Sequence, residues 1–97
     1  MADIEQEIKA KREELNELRS KLQEHQEKVM EYSEAINRCN ERIKSGRLSD
    51  TDIIDEQGKI KRYSRQMTWI KNNNIAGILD AIEDAEKKYK ELMGKLR

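Results

Sequence analysis

A heptad repeat of apolar residues runs without interruption through the first half of the chain. One series places an aliphatic residue at every seventh position: Ile8, Leu15, Leu22, Val29, Ile36 and Ile43. A second series lies four residues before each of these: Ile4, Lys11, Leu18, His25, Tyr32 and Cys39. Alternating steps of four and three residues are typical of the buried seam of a coiled coil. The repeat predicts one helix over about residues 2–45, which ends where Gly46 can adopt a left-handed conformation.

A polar connector at residues 46–50 separates this helix from a second apolar repeat. Ser49 is a residue type that caps helix N-termini, so a second helix is predicted over about residues 51–96. Its apolar positions are Ile60, Tyr63, Met67, Ile70, Ile78, Ile82, Ala85, Tyr89, Leu92 and Leu96. Asn74 lies between Ile70 and Ile78, and three consecutive steps of four residues there interrupt the heptad. The sequence leaves two alternatives: the helix continues with a locally unwound seam, or it breaks near Asn72–Asn74.

Two helices of similar length joined by a short connector favour an antiparallel hairpin. When the two seams are matched, the paired residue numbers add to 99 as far as Asn74 and to 100 beyond it. His25 and Asn74 then face each other as a polar layer that sets the register. A parallel homodimer would instead bring two copies of Lys11 together in its seam, at a cost in stability. The predicted fold is therefore a single all-α domain, an antiparallel helical hairpin of the coiled-coil type.

A hairpin of only two helices buries little apolar surface, which makes it marginally stable alone. The composition agrees with a narrow seam, because 41% of the residues are charged and 35% are hydrophobic. We therefore expect self-association into a homodimer or higher oligomer, with two hairpins forming a four-helix bundle, or a partner that supplies the missing helices. The residues expected to make this contact lie partly outside the seam: Ile53, Ile54, Ile75 and Leu79.

Residue types suited to catalysis or metal binding are few and badly spaced. His25 is the only histidine and Cys39 the only cysteine. They are two heptads apart, about 21 Å along a helix, so they cannot ligate one metal ion. The thiol is expected to pack in the seam, and the carboxylates to lie on solvated helix faces. The sequence therefore predicts a protein that is not an enzyme, with no metal and no cofactor.

Residues 57–79 form a stretch that contains five basic side chains and no acidic one, in a chain whose formal net charge is zero. A helical wheel places six residues of this stretch on one face that points away from the seam: Arg62, Arg65, Trp69, Asn72, Asn73 and Ala76. Arginine and tryptophan are enriched at binding hot spots. This face is predicted to bind a partner, and packing of Trp69 between two copies of the chain is the alternative.

The leading functional prediction is a non-enzymatic protein–protein interaction module, such as an adaptor, a small chaperone or an inhibitor of a larger assembly. Binding of nucleic acid or a nucleotide by the basic stretch is a second interpretation, although the neutral total charge argues against strong non-specific binding. A rigid coiled-coil spacer is a third. The longest apolar run, IAGIL, is too short to span a membrane. A cytoplasmic location is predicted, with leaderless secretion as the alternative.

Overall fold

The chain folds as an extended helical hairpin. A computed structural model describes residues 3–96, so Ala2, the predicted start of the first helix, lies outside the described residues. The elements are α1 (Ile4–Lys44), α2 (Asp50–Trp69), a π-helix (Ile70–Ile75) and α3 (Ala76–Lys95). No strand occurs between residues 3 and 96. α1 packs antiparallel against the other three elements in a body of 70 × 18 × 17 Å, so the predicted all-α hairpin is confirmed.

The connector has the helix-ending and helix-starting features that its sequence predicts. Gly46 has a φ of 71°, the left-handed conformation that a side chain would disfavour. Ser49 is the N-cap of α2, and its hydroxyl accepts a hydrogen bond from the backbone N–H of Asp52 at 3.2 Å. Asp50 and Asp52 lie in the first turn, where the helix dipole favours negative charge. These local interactions turn the chain and let α2 return along α1.

The three asparagines at Asn72–Asn74 do not break the second helix. Residues Ile70–Ile75 form a π-helix, in which the N–H of Ala76 donates to the carbonyl of Lys71, five residues earlier. Asn74 is not an N-cap, because the backbone at Ile75 is itself helical and no side chain caps it. The first of the two sequence alternatives is therefore correct. A π-turn holds one residue more than an α-turn between its bonded groups, which explains why the paired numbers change from 99 to 100.

The core is a thin line of seam residues rather than a thick interior. Its central cluster contains Leu15, Ile82 and Ala85, against which pack Leu18, Leu22, Ile78 and Tyr89. Cys39 is 1% exposed near the connector end. In the middle of the hairpin, Nδ1 of His25 lies 3.5 Å from Nδ2 of Asn74, and both residues are half-buried. The predicted polar layer is thus present as a pair of facing side chains.

Polar contacts between the two helices hold one flank of the hairpin closed near the chain ends. A guanidinium nitrogen of Arg19 lies 3.2 Å from a carboxylate oxygen of Glu86. Seven residues before Arg19 on α1, Arg12 donates to the hydroxyl of Tyr89 at 3.3 Å. Among the described residues, no helix is long and apolar enough to cross a membrane.

Candidate partner-binding face

The six residues predicted to bind a partner all lie on the surface: Arg62, Arg65, Trp69, Asn72, Asn73 and Ala76. Trp69 is 59% exposed, although it is the largest apolar side chain in the protein. It follows Arg62 and Arg65 by two turns and one turn of α2, so these three side chains share one side of the helix. The indole therefore does not contribute to the buried seam between α1 and α2.

Trp69 stands between two shallow grooves. The first has a volume of about 500 Å³ and runs over the seam between α1 and α2. Besides Trp69, its lining consists of Glu24, His25, Lys28, Tyr32, Gln66, Ile70 and Asn74. The second has a volume of about 400 Å³, lies on the outer side of α2 and is lined by Ser64, Arg65, Thr68, Trp69, Asn72 and Asn73. The structure thus gathers four of the six predicted residues around one groove, whereas Arg62 and Ala76 line neither groove.

The π-helix shapes the surface beside the indole. The side-chain amide of Asn73 donates to the backbone carbonyl of Trp69 at 2.9 Å. Side chains on a helix lean toward its N-terminus, which brings the Asn73 amide back over the preceding turn. The indole keeps its exposure, while the amide beside it is held in place. π-Turns are rare and often occur at functional sites, so their position here agrees with a binding surface.

Tyr32 lines the first groove and packs against a second tyrosine. The rings of Tyr32 and Tyr63 pack across the seam with centroids 5.8 Å apart. The ammonium of Lys28 lies 5.6 Å from the centroid of the Tyr32 ring, within the range of a cation–π interaction. Sequence reasoning assigned both tyrosines to packing, and it missed that Tyr32 also lines an open groove. The heptad pattern does not predict this accessibility of Tyr32, because the groove is formed by residues of both helices.

Acidic residues of other segments lie beside the basic stretch. Glu56 Oε1 is 3.4 Å from the ammonium of Lys59, so one of the five basic groups is already paired. On α1, Glu31 pairs with Lys28 at 3.6 Å, and Glu24 lines the first groove. The stretch 57–79 is therefore free of acids only along the sequence. In the folded hairpin, the face around Trp69 carries both signs of charge.

Glu56 is a buried acid that sequence reasoning placed on a solvated face. It is 8% exposed, and its Oε2 accepts a hydrogen bond from Arg42 at 2.9 Å. This hydrogen bond is the main reason why the pKa of Glu56 falls from 4.5 to about 2, with a smaller contribution from Cys39. The available signal was its spacing: Glu56 lies four residues before Ile60, in phase with the seam.

Cys39 and Arg42 complete this cluster at the connector end. Burial raises the pKa of the Cys39 thiol, and its contact with Glu56 raises it further. A thiol of this kind remains protonated and is a poor nucleophile. The hydrogen bond to Glu56 likewise raises the pKa of Arg42. The cluster joins α1 to α2 and offers no group suited to chemistry on a substrate.

The residues expected to contact a second copy do not form one patch by themselves. Ile54 and Leu79 are exposed, whereas Ile53 and Ile75 are half-buried. Ile54 and Ile75 are about 32 Å apart along the helix at 1.5 Å per residue. Within the part of the chain that the structure describes, no three His, Cys, Asp or Glu side chains are placed to hold a metal ion.

Comparison with known proteins identified no relative of this chain. No protein-family model matches the chain, and no curated protein or solved structure is detectably similar to it. Its function is therefore inferred from the surface itself.

Proposed function

We propose that this protein is a non-enzymatic protein–protein interaction module whose partner docks on Trp69 and the two grooves beside it. The observation that carries the proposal is an indole 59% exposed on a helix that already buries its own seam. Covering a tryptophan on binding removes a large apolar area from water, and such residues dominate many interfaces. An adaptor, a small chaperone or an inhibitor of a larger assembly would each use a surface of this kind.

The surroundings of the indole support a protein partner. Tyr32 and Ile70 provide apolar lining in the first groove, and Gln66 and Asn74 provide polar groups at its edge. Protein interfaces commonly combine an apolar centre with a polar rim of this sort. The mixed charges of Lys28 and its neighbours suit a peptide or protein surface better than a uniformly anionic chain.

Nucleic acid remains a second candidate because of the exposed indole and its arginines. In the described part of the chain, no carboxylate lies within 4.0 Å of a basic nitrogen of Arg62 or Arg65. Arginines beside an exposed aromatic ring can hold phosphates and stack a base. Against this, Glu24 of α1 lines the groove beside Trp69 and would repel a phosphate backbone. A spacer role is the third candidate and rests on the 70 Å length of the hairpin.

A cytoplasmic location is part of the same proposal. Cys39 is the only cysteine of the sequence, and it is free and buried. Proteins of reducing compartments commonly keep their thiols free in this way.

Site-specific photo-crosslinking tests the docking proposal directly. A benzophenone amino acid replaces Trp69 in one variant and Lys87, which is exposed on α3, in a matched control. In the cells that produce the protein, we expect one discrete protein adduct from position 69 and none from position 87. With that partner purified, Trp69→Ala should weaken binding by about thirtyfold, the effect of a typical hot-spot residue. Lys87→Ala should leave binding unchanged.

The same variants separate the three candidates. A protein partner predicts weak dependence on salt, together with the loss at Trp69→Ala. Nucleic acid would be indicated by binding of a single-stranded oligonucleotide that falls steeply with salt and is lost in Arg62→Ala/Arg65→Ala. If position 69 yields no discrete adduct and neither set of substitutions changes function, the docking proposal is wrong and the spacer interpretation replaces it.

A further inference from the structure

One flank of the hairpin is poor in charge, and has no acidic residue, in the half nearest the connector. On α1 this acid-free flank consists of Gln26, Met30, Ser33, Asn37 and Asn40. On α2 it consists of Ile54, Gln57, Lys61, Ser64 and Thr68. Lys44 and Lys71 continue the same two rows, so three of twelve residues are charged, all of them lysines, in a chain where 41% of residues are charged. All twelve are exposed except Ser64, which is half-buried, so the scarcity of charge is not explained by burial within the hairpin.

The two rows of this flank lie on the same side of the molecule. On α1 each residue of the row lies one or four positions after a residue of the first seam series, as Met30 and Ser33 follow Val29. On α2 each lies one or four positions after Ile53, Ile60 or Met67. Arg19 and Glu86 hold the same position relative to Leu15 and Ile82, and they form an ion pair across the two helices at 3.2 Å. This contact shows that the two rows border each other along the hairpin.

The opposite flank at the same level has a different composition. There α1 presents Lys28, Glu31, Arg38 and Arg42, and α2 presents Lys59 and Arg62. Exposed helices in a chain of this composition ordinarily carry charges on every solvated side. The contrast between the flanks therefore distinguishes a surface of amides, hydroxyls and a few lysines from one that carries both signs of charge.

We propose that the acid-free flank is the surface through which two copies of this chain associate. The centres of protein interfaces are depleted of charged residues. Amides and hydroxyls both donate and accept hydrogen bonds, so a surface rich in them can pair with itself, as a twofold symmetric interface requires. A basic partner would find no acidic counter-charge on this flank. Met30 and Ile54, which are 62% and 66% exposed, supply the apolar contacts.

The exposed surface area of the single chain is large enough to include an interface with a second copy. The hairpin exposes 7553 Å². A compact monomer of 11.5 kDa would expose about 5,800 Å² by the usual scaling of area with mass. The excess is larger than the roughly 800 Å² that each partner buries in an interface of standard size. Leu79, which is 49% exposed, extends the apolar surface beyond the π-helix on the same flank.

Self-association through this flank would cover Ser64 and Thr68, which line one side of the second groove, but it would leave Trp69 and the first groove open. Trp69 lies about 140° around α2 from Ser64 at 100° per residue. A second copy on the acid-free flank and a different protein on Trp69 would therefore not compete for the same side of the helix. The two proposals can fail independently.

The test measures the mass of the full-length protein in solution by light scattering and by sedimentation equilibrium, because an elongated molecule elutes anomalously in gel filtration. The wild type should have twice the monomer mass of 11.5 kDa over a dilution series. Ser33→Glu/Asn40→Glu and, separately, Ile54→Glu/Gln57→Glu should each raise the dimer dissociation constant by about a hundredfold or more, because they place like charges in the contact.

A matched control carries the same change of charge elsewhere. Arg38→Glu alters the net charge by two units, as each pair of Glu substitutions does, but Arg38 lies on the opposite flank. This variant should therefore remain a dimer with twice the monomer mass. Glutamate forms helices better than serine or asparagine, so the Ser33→Glu/Asn40→Glu variant should keep its helical circular dichroism. The proposal is overturned if the wild type is monomeric throughout, if either Glu pair remains dimeric, or if Arg38→Glu dissociates the dimer equally.

Discussion

Glu56 and Trp69 are among the residues of α2 that depart from the usual distribution of polar and apolar side chains. Glu56 is buried against Arg42 and Cys39, whereas Trp69 is exposed. Buried charges and exposed large apolar groups are the informative exceptions in a small protein. The first is explained within the chain, because a guanidinium and an ammonium pair with the carboxylate. The second has no such internal explanation, which is why the proposed function rests on it.

The buried Glu56 predicts a specific loss of stability in acid. Its pKa is about 2 in the folded chain, below the ordinary value of 4.5. A group whose pKa is lowered by folding stabilises the fold above its unfolded pKa, and this contribution is lost as the pH falls through the folded value. The free energy of unfolding of Glu56→Gln should therefore be lower than that of the wild type at pH 7. The difference should shrink between pH 4.5 and about pH 2 and be absent below that.

Urea denaturation followed by circular dichroism at a series of pH values measures this difference. Glu83→Gln is the control, since its carboxylate is exposed on α3 and makes only a contact within the helix. It should shift the unfolding midpoint little at any pH. A difference between Glu56→Gln and the wild type that persists unchanged at pH 2 would show that packing of the side chain, not its charge, explains the loss.

At the scale of elements, the π-helix reconciles two seam patterns that differ by one residue. The seam residues of the second helix follow a heptad up to Ile70 and again from Ile78. These two positions are eight residues apart, whereas an unbroken heptad would place them seven apart. A break would leave helix-end groups without partners in the middle of the hairpin. The π-turn instead absorbs the extra residue while the backbone remains hydrogen bonded, so the seam stays buried on both sides.

This explanation predicts that one residue can be removed here at little cost. Deletion of Ala76, which is exposed, restores a seven-residue spacing from Ile70 to Ile78 and keeps Asn74 opposite His25. We expect this variant to fold with a free energy of unfolding within about 1 kcal/mol of the wild type, because no core residue leaves the seam. Circular dichroism should show unchanged helix content, and thermal denaturation should remain a single transition.

Deletion of Ser20 is the matched control, because this exposed residue lies in α1, where the heptad has no extra residue to lose. Removing it rotates one half of α1 by about 100° relative to the other and takes seam residues out of contact. The expected cost is about 3 kcal/mol or more, comparable to the loss of a buried leucine. Equal destabilisation by the two deletions would contradict the assignment of the π-turn as an absorbed insertion.

At the scale of the whole molecule, the hairpin is a rod with a thin core. Its radius of gyration is 21.2 Å, whereas a compact domain of 97 residues has about 12–13 Å. The continuity of the helix through the π-turn produces this length. If the chain folded back at Asn72–Asn74, α3 would lie beside the rest and the rod would shorten.

Small-angle X-ray scattering tests this shape. The Ser33→Glu/Asn40→Glu variant, which is expected to be monomeric, should have a radius of gyration close to 21 Å in solution. Adding salt should leave this value unchanged, because the rod depends on seam packing and not on repulsion between charges. A radius near 13 Å would show that the helix bends back at the π-turn and would refute the extended hairpin.

Sequence periodicity was sufficient to predict the helices, the antiparallel pairing and the facing of His25 and Asn74. The reason is that burial of a seam depends on the spacing of apolar residues within each helix, and that spacing is visible along the chain. The outward position of Trp69 follows from the same geometry. The capping residues Gly46 and Ser49 act over only three or four neighbouring positions, so their roles were also predictable.

Only the tertiary structure decided which charges meet across the two helices. Glu56 is buried because Arg42, fourteen residues earlier, reaches it from α1. Glu24 lines a groove beside Trp69 although it lies far from it in sequence, so a stretch that looked uniformly basic became a face of mixed charge. The choice between a break and a π-turn at Asn72–Asn74 was likewise made by packing against α1. The pairing of these charged groups depends on neighbours brought together by folding and is not encoded in local spacing, although the phase of Glu56 with the seam already indicated its burial.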